Sequence, residues 1–130
     1  MTPDLVYLAW TALLTAALWI PYVICQVISN GPLKPAHYAD PAGREAPAWG
    51  KRAYRAHLNA VESFAPFAAL VFIAHLSGKT GGHLALWATA FFWIRLAHAV
   101  VHLLGVPYLR TILFTLGFVC VVGLFVVLIR

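Results

Sequence analysis

The sequence predicts an all-α integral membrane protein, a single domain over residues 1–130 built as a bundle of four transmembrane helices. Three observations carry that reading. The 130-residue chain is 62% hydrophobic and only 10% charged, against roughly 25% charged in soluble domains. Its apolar residues gather into four runs, Leu5–Ile28, about Ala53–Leu76, Leu84–Leu104 and Thr111–Ile129, each 19 to 24 residues long. About 20 helical residues cross a bilayer core of roughly 30 Å. None of the runs alternates apolar with polar residues, as the strands of a membrane barrel would, and a helix satisfies its own backbone groups in lipid.

The first run carries Asp4 where a secretory signal would be basic, and it is too long for a signal's apolar segment, so it is expected to be a retained first span. Pro21 should kink it, and Gln26 is its one polar residue near the far end. The loop Ser29–Arg52 follows, with Pro32, Pro35, Pro41 and Pro47 and the glycines Gly31, Gly43 and Gly50. It is long for a connection between neighbouring helices, and such loops are often functional. Trp49 and Tyr54 stand at the second membrane entry, as interfacial aromatics do. The second run contains Pro66, which should free a backbone carbonyl one turn earlier. The turn Ser77–Gly82 contains Gly78-Lys79-Thr80, but Ile73 stands where a phosphate loop needs its upstream glycine, and no strand precedes it. The fourth run is apolar apart from Thr111 and Thr115; its Gly117 and Gly123 offer surfaces for close helix contact. Cys25 and Cys120 lie inside apolar runs without CxxC spacing and read as small buried hydrophobes.

The net charge of +5 is unevenly placed. Lys34, Arg44, Lys51 and Arg52 lie in the first connection and Arg110 closes the third, while the opposite side holds only Lys79 and Arg130. The positive-inside rule puts the first and third connections in the cytoplasm and both termini outside. Basic residues so few, and mostly flanking spans, exclude a nucleic-acid partner; membrane lipids are the expected surroundings.

Polar residues inside the spans carry the functional signal. Arg55, Asn59 and Glu62 are spaced i, i+4, i+7 and share one helix face. Charges at such depth are costly and persist mainly where they face a protein interior or a wet cavity. Arg95, His98 and His102 fall within about 60° of arc on the third helix. Both stripes occupy the cytoplasmic half of their spans and can meet at one depth. With Arg110 added, three arginines face a single acid, Glu62. One can pair with it, and the rest call for an anion: a carboxylate, a phosphate or a thiolate. The planar arginine fork suits such groups, and Glu62 could accept an ammonium. A zwitterion with excess negative charge fits this set. Interhelical salt bridges alone would leave surplus arginine and two histidines unexplained. His98 and His102 have metal-ligand spacing, which a metal or haem carrier would use, but no third ligand is visible and no metal is expected. His57 points about 160° from Asn59 and reads as an interhelical residue. His37, His75 and His83 read as loop or membrane-edge residues.

The segment Arg55-Ala-His-Leu-Asn59-Ala-Val-Glu62-Ser-Phe-Ala-Pro66-Phe resembles the signature of the MAPEG family, the membrane-associated proteins in eicosanoid and glutathione metabolism. The four spans, the long first loop, Arg95-Leu-Ala-His98 and Arg110 at the fourth span agree with it over nearly the whole chain. The resemblance implies a homotrimer of four-helix subunits with glutathione as co-substrate, bound between neighbouring subunits. It implies that Arg55, Asn59, Glu62, His98, His102 and Thr111 bind glutathione and that Arg110 is catalytic, stabilising the thiolate; Arg95 is a structural polar residue. The implied activity is a glutathione transferase or peroxidase acting on a lipophilic small molecule. Three positions depart from the enzymes: Ile28 and Leu58 where some have arginine, and Phe114 where some have tyrosine. These departures keep open an alternative, a non-catalytic lipid- or partner-binding scaffold, of which the family contains an example.

Overall fold

The computed structural model describes residues 1–39 and 44–130, which form helices and no strand; Pro41 and Gly43 of the first loop lie outside the described residues. Helices α1 (Pro3–Ala17) and α2 (Trp19–Asn30) make the first span, and a short 3-10 turn follows at Pro35–Tyr38. Helices α3 (Ala48–Leu76), α4 (Gly82–Leu104) and α5 (Leu109–Ile129) make the other three. All four segments are long and apolar enough to cross a membrane, which makes the chain an all-helical, multi-pass membrane protein.

The kink expected from Pro21 takes the form of a break between α1 and α2 at Leu18. Pro21 has no N–H to give the carbonyl of Ala17, so the regular ladder ends there and Leu18 N–H closes the turn on Leu14 O at 3.1 Å. Pro66 behaves differently: α3 continues on both sides of it, and the acceptor it cannot serve is the Glu62 carbonyl. Helix α3 begins at Ala48 rather than Ala53 because a hydropathy run stops at the first charges, here Lys51 and Arg52, whereas backbone hydrogen bonding does not. Helix α5 likewise begins at Leu109, which puts Arg110 and Thr111 in its first turn.

Helices α3 and α4 are central. Helix α4 packs against α1, α3 and α5, while α3 touches every other helix. The apolar core sits in the half of the bundle nearest the α3–α4 turn, around Leu8, Phe67, Val71, Leu84, Phe91 and Leu124. Phe67 and Phe91 stack there with centroids 4.1 Å apart. Lipid is as apolar as leucine, so helices associate through close fit rather than escape from water. Glycines provide that fit. A Cβ at Gly123 would overlap the Trp87 ring, one at Gly117 would sit 3.4 Å from Arg95 Cδ, and one at Gly50 would strike Cys25. Cys25 and Cys120 are buried free thiols, as their apolar settings predict.

Each end of the bundle is tied by a polar contact. Buried Asp4 accepts the Gly81 N–H at 3.2 Å, and Lys79 Nζ donates to Leu128 O at 2.6 Å. At the other end, Arg52 Nε donates to Leu103 O at 3.1 Å. That bond satisfies a carbonyl left over in the last turn of α4, just before Gly105 reverses the chain at φ +74°. The glycine is required twice there, for the left-handed backbone and because a Cβ would press on the Arg52 side chain.

Candidate functional site

Opposite the apolar core, three helices open onto one cavity of about 420 Å³. Helix α3 contributes Arg55, Leu58, Asn59 and Glu62, α4 contributes His98 and His102, and the first turns of α5 contribute Arg110, Thr111 and Phe114. The volume is within the range of about 300–1,000 Å³ typical of small-molecule sites. Helical spacing accounts for the α3 set, since i, i+4 and i+7 place the three polar residues in one column. The short connection after Gly105 then brings Arg110 back beside His102.

Arg95 is not part of this lining. It lies behind it, 4% exposed, and its Nη2 donates to Asn59 Oδ1 at 2.9 Å. A guanidinium can only donate, so the Asn59 oxygen turns toward Arg95 and its NH₂ is left for the cavity. Arg95 Nε is buried without a partner. It borders a second, deeper cavity of about 240 Å³ that shares Glu62 and Phe114 with the first and continues along Phe91, Gly117 and Phe118.

His98 and His102 are buried edge to face, 5.4 Å apart, with Phe114 6.4 Å from His98. Their Nδ1 atoms are buried without partners. Glu62 shares this cavity with Arg55 and Arg110. Arg55 is two helical turns away, about 10 Å along the axis, and Arg95 is engaged by Asn59. The exposed Glu62 side chain lines the cavity. The lining carries two guanidiniums against one carboxylate, with the Arg95 charge behind it.

Of the three departures, Leu58 and Phe114 line the cavity, while Ile28 is 72% exposed on α2 and does not. His57 also stands outside the lining, with its Nδ1 buried. Among the described residues no group of three His, Cys, Asp or Glu side chains could hold a metal ion. Sequence reasoning missed Arg52, counted only as a topology charge. The glycine after α4 signals unsatisfied carbonyls nearby, but nothing in the sequence says which basic residue reaches them.

No curated protein matches the chain. The MAPEG family model does, over residues 5–130, nearly the whole length and including every residue of the cavity. The chain belongs to the MAPEG family, whose members serve glutathione and eicosanoid metabolism at membranes.

Proposed function

We propose that the protein is a membrane-bound, glutathione-dependent transferase or peroxidase acting on lipophilic electrophiles. The observation that carries this reading is one cavity lined by two guanidiniums, one carboxylate and two imidazoles. Glutathione offers two carboxylates, one ammonium and a thiol. Glu62 takes the ammonium; Arg55, Asn59, His98, His102 and Thr111 bind the carboxylates and peptide groups; Arg110 holds the thiolate. A free thiol near pKa 8.5 is only a few per cent ionised at neutral pH, and lowering it by two units requires about 2.7 kcal/mol. A guanidinium about 4 Å away at an effective dielectric of 20 offers up to about 4 kcal/mol before desolvation. One arginine placed that close would therefore suffice.

In conjugation the thiolate sulfur attacks an electrophilic carbon, a C–S bond forms, and the leaving group departs with its electron pair. With a hydroperoxide, sulfur attacks the terminal oxygen and the alkoxide leaves and is protonated. The sulfenic acid so formed reacts with a second glutathione to give the disulfide and water. No protein side chain serves as nucleophile.

The same reading includes a homotrimer. Arg55, Glu62 and Arg110 are exposed on the single chain, and charges at span depth are costly against lipid; a neighbouring copy would cover them. Replacing Arg110 tests the mechanism. Arg110→Ala should lower conjugation of a generic aryl halide at least a hundredfold while leaving the protein folded, and unchanged turnover would exclude it. Leu58 and Phe114 in the lining favour a second reading, a non-catalytic lipid-binding scaffold. Calorimetric titration separates the two, because a scaffold would show no heat of binding with millimolar glutathione.

A further inference from the structure

A further polar cavity, of about 280 Å³, lies where α2 meets the start of α3, and it shares Arg55 with the α3–α5 cavity. Its charged lining is Arg44, Lys51 and Arg55 against one acid, Glu45. The N-terminus of α3 adds to the positive field. That helix has no side-chain cap and no acidic residue in its first turn. The Gly50 and Lys51 N–H groups close on Pro47 O, which leaves those of Ala48 and Trp49 without intrahelical acceptors. A helix start carries about half a positive charge and favours anions; here basic side chains crowd it instead.

An independent observation points into the same space. Gln26 is 9% exposed, and its Nε2 is buried without a partner, although its Oε1 is fixed by Asn30 Nδ2 at 2.9 Å. Asn30 also donates to Glu45 O at 3.0 Å, which holds the loop against α2. A buried donor left unmatched is destabilising; an acceptor in the cavity removes that cost.

The surroundings say what carries the acceptor. Tyr22 and Tyr54 pack at 5.0 Å, and Trp49 is exposed in the first turn of α3; such aromatics mark a membrane–water boundary. Tyr22, Gln26 and Arg44 are shared with an adjoining groove of about 230 Å³ whose other walls include Val23, Val27 and Leu33. An anionic head beside an apolar furrow at the bilayer surface matches one class of molecule. We propose that this cradle binds the phosphodiester of an anionic membrane lipid, with an acyl chain lying along the α2 groove. The cradle adjoins the proposed glutathione site through the shared Arg55, while its Gln26, Arg44 and Lys51 lie outside that site.

The full-length protein in neutral detergent, with dioctanoyl phosphatidylglycerol, dioctanoyl phosphatidylcholine or inorganic phosphate added, tests the assignment by native mass spectrometry. The anionic lipid should be retained at least tenfold more strongly than the zwitterionic one. Each basic residue near the surface contributes roughly fivefold, so Lys51→Gln should weaken retention about fivefold and Arg44→Gln/Lys51→Gln about thirtyfold. Lys51 is exposed on a helix, so the single variant keeps the fold intact. Gln26→Leu should also weaken retention, and Lys79→Gln, at the opposite membrane face, should not. Equal retention of the two lipids, or an unaffected double variant, overturns the proposal. Inorganic phosphate competing as well as the anionic lipid would make the cradle a soluble-anion site, and displacement by glutathione would make it an extension of the first cavity; either result overturns the lipid assignment.

Discussion

Arg95 gives one N–H to Asn59 and keeps another buried, in a span where water cannot substitute for a lost partner. On the proposed reading, its contribution to glutathione binding passes through the orientation of the Asn59 amide. In a double-mutant cycle of Arg95→Met and Asn59→Ala, glutathione affinity measured by calorimetry should show a coupling of about 1–2 kcal/mol, the scale of a hydrogen bond to a charged group. Additive losses would mean that the two side chains act separately. The polar stripe was legible in the sequence because 3.6-residue spacing names a helix face. Which arginine looks into the cavity was not, since the period does not tell how far α4 is turned toward α3. Arg55 and Arg110 proved to line the cavity and Arg95 to stand behind it.

The helices themselves were read from run length, and each extends past its apolar run at one end or both, where polar or charged residues remain helical. Their packing was less visible, because a glycine in a span signals close approach without naming the group that approaches. Gly123 meets the Trp87 ring and Gly117 the Arg95 stem, pairings fixed by the register of α4 on α5. Gly123→Val should therefore destabilise the bundle by about 1–3 kcal/mol, the usual cost of overpacking, seen as a lower midpoint in denaturant titration. The same change at Gly78, where the space is open but φ is +73°, should act through backbone strain alone and cost about 1–2 kcal/mol.

At the scale of the molecule, polar chemistry and apolar packing are divided between the two halves of the bundle, with the cavity at one end and the Phe67–Phe91 core at the other. Charge asymmetry predicts which end faces the cytoplasm. In oriented vesicles, a membrane-impermeant maleimide should label Lys34→Cys only from the cytoplasmic side and Lys79→Cys only from the other, with buried Cys25 and Cys120 giving no background. Light scattering of the detergent-solubilised protein should give a protein mass near three times the 14.3 kDa chain. Asp4 and Leu128 both reach the residue 79–81 turn, so the first and last helical turns emerge at one membrane face. A short linker could then join the end of one copy to the start of the next without recrossing the bilayer. In such tandem chains a single disabled copy can be set among intact ones, and the turnover lost per disabled copy would count how many sites fire independently.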